Sequence, residues 1–123
     1  MNSSDHQILL KIRSICNEIS IFAGQRGFDI NKVMINFNNI SLFSMYLLQI
    51  GSLSTSLSGE FKNQYPHILW DDLIEISNKI FTDFFSINIP NIWELGKKSV
   101  PELNILCKEL LGDEQFSYKP VLH

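Results

Sequence analysis

Asp83 and His67, both in the second half of the chain, are the two candidates for acid–base chemistry. Histidine titrates near neutrality, and a carboxylate becomes a useful base when its pKa is raised. The sequence shows no cationic partner placed to support Asp83, and His67 falls in a connector between predicted helices, where an exposed histidine without a catalytic role is the simpler interpretation. A site built on Asp83 or His67 is therefore one alternative, and it predicts that Asp83→Ala abolishes activity.

The cysteines and histidines do not have the spacing of metal ligands. Cys16 and Cys107 are far apart, neither belongs to a CxxC pair, and both occupy apolar positions of predicted helices. A free thiol in that setting behaves as a small hydrophobic side chain. The histidines, His6, His67 and His123, are scattered along the chain. We therefore expect no metal, no cofactor and no disulfide.

The composition is that of one globular domain: 123 residues, 45% of them hydrophobic and 19% charged. The net charge is -3 and no basic run occurs, so the sequence gives no independent sign of nucleic-acid binding. The N-terminus, MNSSDHQ, lacks the basic and apolar regions of a signal peptide. Between Lys32 and Glu60 no residue is charged, but asparagines and serines interrupt the apolar run, which favours a buried helix over a membrane span. We expect a cytoplasmic protein without membrane contact.

The predicted fold is all-α, an antiparallel up-and-down bundle of four main helices with short additional helices. Apolar residues recur at spacings of three and four in each segment, and no segment shows the alternation of a strand. The bundle would occupy residues 1–112 as a single domain. Residues 113–123 would form a loose C-terminal tail.

The first half of the chain predicts two long helices. Residues 5–23 carry an unbroken apolar stripe, and Gly24 with Gly27 would end this first helix. Asp29 would cap a second helical region that continues to about Leu57. The second region has an apolar stripe and also a face of small residues, so two of its faces are expected to be packed.

The second half predicts a third helix, a short helix and a last helix. The third would run from near Asp71 to about Ser86. Pro90 would open the short helix. Residues 99–102, Ser-Val-Pro-Glu, have the pattern of a capping box and would start a separate last helix that ends at Gly112.

A helix packed on two faces in so small a protein often has a symmetry mate on one of them. Small side chains let another helix approach closely. We therefore predict a homodimer formed through the second and third helices. Its predicted interface residues are Ile50, Gly51, Ser77, Phe81 and Phe84.

Residues 65–85, YPHILWDDLIEISNKIFTDFF, resemble the second half of HepT-like HEPN proteins. These are small helical ribonuclease toxins that pair with MNT-type nucleotidyltransferase antitoxins. Further landmarks bring the resemblance to about Ile8 to Leu111: Leu48-Gln49-Ile50-Gly51, Leu57-Ser58, Trp93 and Pro101-Glu102-Leu103. The order and spacing of the landmarks are more specific than any one of them. One departure is Ser52, where the family commonly has glutamate after Ile-Gly.

In that family an Arg-Asn pair is followed by a histidine and, two residues later, a tyrosine. The corresponding positions here are Ser77-Asn78, Thr82 and Phe84, with Asp83 adjacent. The resemblance implies metal-independent RNA cleavage in a cleft between two protomers, in which the histidine moves protons and the arginine holds phosphate oxygens. Ser77 carries no charge, and the hydroxyl of Thr82 stays protonated at physiological pH. The family's chemistry is therefore predicted to be absent.

The tyrosine of the family is the site where the partner nucleotidyltransferase attaches AMP and so silences the toxin. Phe84 has no hydroxyl to modify. A chain without nuclease residues needs no silencing, so the three substitutions agree with one another.

The favoured interpretation is a catalytically inactive HepT-like protein that acts by dimerisation or partner binding in a toxin–antitoxin or defence context. Its partner would be a second copy, an MNT-type nucleotidyltransferase or an intact HEPN protein. One alternative is an active ribonuclease with a rearranged site, and only then is RNA a partner. Another is a nucleotide-binding helper of a nucleotidyltransferase, which would need an open pocket around Ser77.

Overall fold

The computed structural model describes residues 1–26 and 37–115, and all regular structure in those two ranges is helical. The helices are α1 (Ser3–Arg26), α2 (Phe37–Ser56), α3 (Gly59–Gln64), α4 (Trp70–Thr82) and α5 (Ile89–Leu111). A short 3-10 turn, Phe84–Ser86, joins α4 to α5. The four long helices with one short helix between them confirm the predicted all-α bundle. None of the helices in the described ranges is long and apolar enough to cross a membrane.

The core is centred on α2, which packs against α1, α4 and α5. The ring of Phe43 lies 6.3 Å from that of Phe22 in α1 and 5.3 Å from that of Trp93 in α5. Fully buried leucine and isoleucine side chains surround these rings: Leu9, Ile12, Ile19, Leu47, Ile50, Leu73, Leu103 and Leu106. Burial of this size, rather than helix propensity, is what stabilises the bundle.

The helix end predicted near Ser86 was wrong, and the end predicted at Gly24 with Gly27 is described only in part. α1 continues through Gly24 to Arg26, and Gly27 and the predicted cap Asp29 lie outside the described residues. α4 ends at Thr82 instead of Ser86, because the backbone of Asp83 (φ -155°, ψ 75°) leaves the helical region. The carboxylate of Asp83 accepts a hydrogen bond from the hydroxyl of Ser86, a local contact that competes with continued helix.

The predicted capping box at residues 99–102 was also wrong, because α5 is one continuous helix with Pro101 inside it. Ser99 is buried, and its hydroxyl has no hydrogen-bond partner among the described residues. Apolar side chains on both sides of Pro101 face the same core, including Trp93 and Leu103. Their burial outweighs the one backbone hydrogen bond that a proline removes.

The residues that follow α5 contact the first half of α1. Glu114 pairs with His6 through its carboxylate, and its backbone carbonyl accepts a hydrogen bond of 2.9 Å from Arg13. The structure describes residues 113–115 of the predicted loose tail. Residues 116–123 lie outside the described part.

Asp5 is a buried carboxylate that joins the first turn of α1 to the connector between α2 and α3. It is 2% exposed and accepts hydrogen bonds from the Ser58 backbone N–H (2.8 Å) and the Ser58 hydroxyl (2.6 Å). The same hydroxyl accepts a bond from the Phe61 N–H and so caps α3. One carboxylate thus fixes the positions of three helices.

We expect Asp5→Ala to lower the free energy of unfolding by about 2 kcal/mol, because it leaves the partly buried Ser58 N–H without an acceptor. Urea denaturation followed by circular dichroism measures this loss. The matched control is Asp113→Ala, at an exposed aspartate, with an expected change within about 0.5 kcal/mol. Equal effects of the two variants would contradict the structural role of Asp5.

Candidate functional site

Ser77 lies at the closest crossing of α2 and α4. Its side chain is 4% exposed, and its hydroxyl donates a hydrogen bond of 2.8 Å to the backbone carbonyl of Leu48. Opposite it is Gly51: a Cβ built there would lie 2.4 Å from the Cβ of Ser77 and 2.2 Å from the carbonyl oxygen of Leu73. Such distances are too short for real atoms, so the two backbones are in contact because residue 51 has no side chain. The serine therefore works as a small packing residue.

Asn78 and Thr82 lie on the outer side of α4. Both are exposed, and the Thr82 hydroxyl donates to the Asn78 carbonyl at 2.8 Å, one helical turn earlier. Ser77 is turned inward and Thr82 outward, as expected for residues about 140° apart around a helix. The structure does not bring these two side chains together within the chain.

Asp83 borders a shallow groove of about 350 Å³ at the junction of α4 and α5. Its polar lining comes from Lys79, Thr82, Asp83, Ser86, Asn88 and Asn91. The ammonium of Lys79 lies 3.1 Å from the carboxylate of Glu75, and the carboxylate of Asp83 already accepts the bond from Ser86. This groove could not be predicted from the sequence, because its members come from two helices and an irregular turn without a recognisable spacing.

His67 is at the other end of α4 from Asp83. The thirteen residues of α4 span about 20 Å, so the two candidate acid–base groups cannot act on one reacting atom within a chain. His67 is half exposed, lies edge-on to the ring of Tyr65 and has Glu102 4.0 Å from its Nε2. Neither Tyr65 nor Glu102 is arranged to take part with His67 in a reaction on a substrate.

The five predicted interface residues divide between the interior and the surface. Ile50, Gly51 and Ser77 are buried within the chain between α2 and α4. Phe81 is 81% exposed, and Phe84 is half-buried with its ring edge-on to Phe85, which is 90% exposed. The three buried residues are thus occupied by packing inside the chain. Phe85 was not among the predicted interface residues; it lies beyond the end of α4, in the turn Phe84–Ser86, and is exposed like Phe81.

The two cysteines are buried free thiols. Burial raises the pKa of Cys16 far above its ordinary value. Burial also raises the pKa of Cys107, to about 12, with Arg13 acting in the opposite direction. Because the thiolate is the reactive form, neither cysteine is suited to nucleophilic chemistry. Within the ranges 1–26 and 37–115, no group of three histidine, cysteine or acidic side chains could hold a metal ion.

We expect both thiols to resist a water-soluble disulfide reagent in the folded protein. At pH 8 to 9 the raised pKa keeps Cys107 protonated, and reactivity grows only as the pH approaches 12. Both thiols should react at once in denaturant. Rapid labelling of either cysteine in the folded state would show that this part of the core opens readily.

Comparison with known proteins adds the decisive observation: the ribonuclease HepT-like family matches residues 7–110. The chain belongs to the HepT-like family. This HepT-like chain is 30% identical over 66 residues to a "Putative RNase" of Caldanaerobacter subterraneus subsp. tengcongensis, a match that covers 54% of this chain and 59% of the relative. It is 28% identical over 72 residues to a "Putative RNase" of Methanocaldococcus jannaschii (55% of this chain, 60% of the relative).

A third relative is named "Probable ribonuclease HepT", from Thermococcus cleftensis, with 26% identity over 54 residues (44% of this chain, 49% of the relative). The HepT-like chain thus spans about six-tenths of the length of the first two relatives and about half of the third. No solved structure matches it.

Proposed function

We propose that this HepT-like protein does not cleave RNA by the histidine–arginine chemistry of its family and acts by associating with other protein chains. The observation that carries the proposal is the environment of Ser77. The position that corresponds to the family's arginine is an uncharged side chain, and its hydroxyl is bonded to the Leu48 carbonyl inside the chain. A group that is to hold phosphate oxygens must instead present positive charge to solvent.

Thr82 and Phe84 support the same proposal. The Thr82 hydroxyl is bonded to a backbone carbonyl, and a hydroxyl of ordinary pKa is a poor base at neutral pH. Phe84 offers no oxygen to which a nucleotidyltransferase could transfer AMP. The chain would therefore be neither the active toxin nor the target of its silencing.

The association that we propose is with a second copy, with an MNT-type nucleotidyltransferase or with an intact HEPN protein, in a cytoplasmic toxin–antitoxin or defence setting. The exposed Phe81 and Phe85 support a protein partner, because large aromatic side chains are enriched at the energetic centres of interfaces.

The two alternatives have specific weaknesses. A rearranged ribonuclease would need Asp83 or His67 to act alone, since α4 separates them by about 20 Å. A nucleotide-binding helper would need open space around Ser77, and that side chain is packed against Gly51. The groove beside Asp83 combines a carboxylate with an ammonium already paired to Glu75, a poor site for a polyanion.

The test compares the natural chain with Asp83→Ala and His67→Ala on pooled tRNA and mRNA in the presence of EDTA. We expect none of the three proteins to cut. Cleavage by the natural chain that is lost in Asp83→Ala would overturn the proposal in favour of a rearranged site. Thermal stabilisation by ATP that is lost on changing the lining of the Asp83 groove would favour the nucleotide-binding alternative.

A further inference from the structure

α4 and α5 leave an open groove along the side where they meet. α4 packs mainly on α2 and α5 mainly on α1, so the two helices have few contacts with each other. The groove consists of two hollows of about 310 and 350 Å³, which adjoin because Ile76, Lys79 and Asn91 line both of them. We call the two hollows together the α4–α5 groove. The groove described above beside Asp83 is one half of it.

The two helices run antiparallel along this groove. The start of α4, at Asp72, lies opposite Glu94 of α5, and its end, at Thr82 and Asp83, lies opposite Asn88. Residues 72 and 82 are about 15 Å apart along the helix axis. An extended chain rises about 3.3 Å per residue, so the groove has room for about five residues of an extended segment. A helix, about 10 Å across with its side chains, is too wide for it.

The lining of the α4–α5 groove is strongly negative. It carries one ammonium, that of Lys79, and four carboxylates, those of Asp72, Glu75, Asp83 and Glu94. This formal charge of -3 equals the net charge of the whole chain. Lys79 lies 3.1 Å from Glu75, while in the described part of the chain Asp72 and Glu94 make no ion pair. The groove therefore attracts a cationic partner and repels a polyanion such as RNA.

The floor of the groove is apolar. Ile76, Ile87 and Leu95 are half-buried: each packs against the core and leaves part of its side chain open to the groove. A partner that also carries apolar side chains gains from covering this floor, and a plain polycation does not. The carboxamide of Asn91 lines both hollows and has no hydrogen-bond partner among the described residues. It can therefore both donate to and accept from a peptide backbone.

We propose that the α4–α5 groove binds a short extended segment of another protein in which basic and apolar side chains alternate. The basic side chains would pair with the carboxylates of the rim, and the apolar ones would cover Ile76 and Leu95. The inference rests on the proposed function, because it names a surface and the partner chemistry for the association with other chains. It uses none of the residues at the family's motif positions except Thr82, which lies at the edge of the groove.

The test is a titration of the isotope-labelled chain with the capped peptide Lys-Leu-Lys-Leu-Lys, followed by the amide chemical shifts in NMR spectra. We expect the shifts to be concentrated between residues 72 and 95, with a Kd below about 1 mM that rises with added salt. Two control peptides separate charge from the apolar floor. Gln-Leu-Gln-Leu-Gln lacks the charges and Lys-Gly-Lys-Gly-Lys lacks the apolar side chains, and each should bind roughly tenfold more weakly.

Glu94→Lys and Glu109→Lys are a pair of variants matched in charge. Both glutamates are exposed and belong to α5, and each substitution makes the same change to the net charge, but only Glu94 lines the groove. We expect Glu94→Lys to raise the Kd of the lysine–leucine peptide roughly tenfold and Glu109→Lys to raise it less than about twofold. Glu94→Gln, which removes the charge without reversing it, serves if Glu94→Lys does not fold and should raise Kd roughly threefold.

Several results would overturn the inference. They are the absence of shifts at roughly 5 mM peptide, equal weakening by Glu94→Lys and Glu109→Lys, and groove shifts produced as strongly by spermine or single-stranded RNA as by the peptide. Groove shifts on concentrating the chain alone would put a second copy in the groove and would also overturn it.

These outcomes are separate from those of the cleavage test. A chain that leaves RNA intact but does not bind the peptide would remove this binding groove and leave the proposed lack of ribonuclease activity standing. A chain that binds the peptide in the groove and cuts RNA would do the reverse.

Discussion

Ser77→Arg is expected to destabilise the fold by about 3–5 kcal/mol, because it puts a long charged side chain into a packed crossing without a counter-ion. Ser77 is 4% exposed, and its Cβ would be only 2.4 Å from a Cβ at residue 51. The guanidinium would have to displace the Leu48 contact or push α2 and α4 apart. Chemical denaturation of the purified variant measures the loss directly.

Two companion variants separate size and charge from the loss of the hydroxyl. Ser77→Ala removes one hydrogen bond and leaves the Leu48 carbonyl in its helix, so we expect a cost of about 1 kcal/mol. Thr82→His introduces a histidine at an exposed position, where the resemblance predicts the family's histidine, and should change stability by less than about 0.5 kcal/mol. A stable Ser77→Arg variant would show that the crossing opens easily, and the structural role assigned to Ser77 would then fail.

Gly51→Ala is expected to cost about 3 kcal/mol, at the upper end of the usual range for overpacking. The new methyl group would lie 2.2 Å from the Leu73 carbonyl oxygen, a backbone atom that moves only if α4 moves. Away from such contacts, replacing a helical glycine by alanine stabilises a helix by about 1 kcal/mol, so the sign of the effect is itself diagnostic.

Gly59 and Gly96 provide matched controls for this substitution. Nothing lies within 4 Å of a Cβ built on Gly59, so Gly59→Ala should be neutral or slightly stabilising. A Cβ on Gly96 would meet the ring of Phe43 at 2.4 Å, and we expect an intermediate loss because a side chain can shift more readily than backbone. Equal stability of the Gly51 and Gly59 variants would contradict the close approach of α2 and α4.

The helical fold could be predicted from the sequence because each long helix carries its own apolar stripe. The errors lie where a local signal and tertiary burial disagree. Residues 99–102 have the pattern of a helix start, but the apolar face continues through Pro101, and burial keeps α5 whole. The end of α4 was misplaced for the opposite reason: Phe84 and Phe85 extend the apolar pattern, while Asp83 has already left the helix.

The candidate site was harder to predict, since it depends on which way each side chain points. The resemblance predicts which motif positions Ser77 and Thr82 occupy, but only the packing of α4 on α2 shows that one is buried and the other exposed. The same holds for the predicted interface. Gly51 and Ser77 do mark a close helix crossing, as their small size indicates, but that crossing lies within one chain.

The proposed lack of ribonuclease activity is tested most directly by the cleavage rate of an end-labelled single-stranded RNA by the natural chain in EDTA, measured across the fractions of a size-exclusion column. We expect that no cleavage follows the protein peak, in fractions that contain either one copy or two. Cleavage that rises and falls with the protein, and survives a second column, would contradict it. The protein would then have an active centre built on residues other than Ser77 and Thr82.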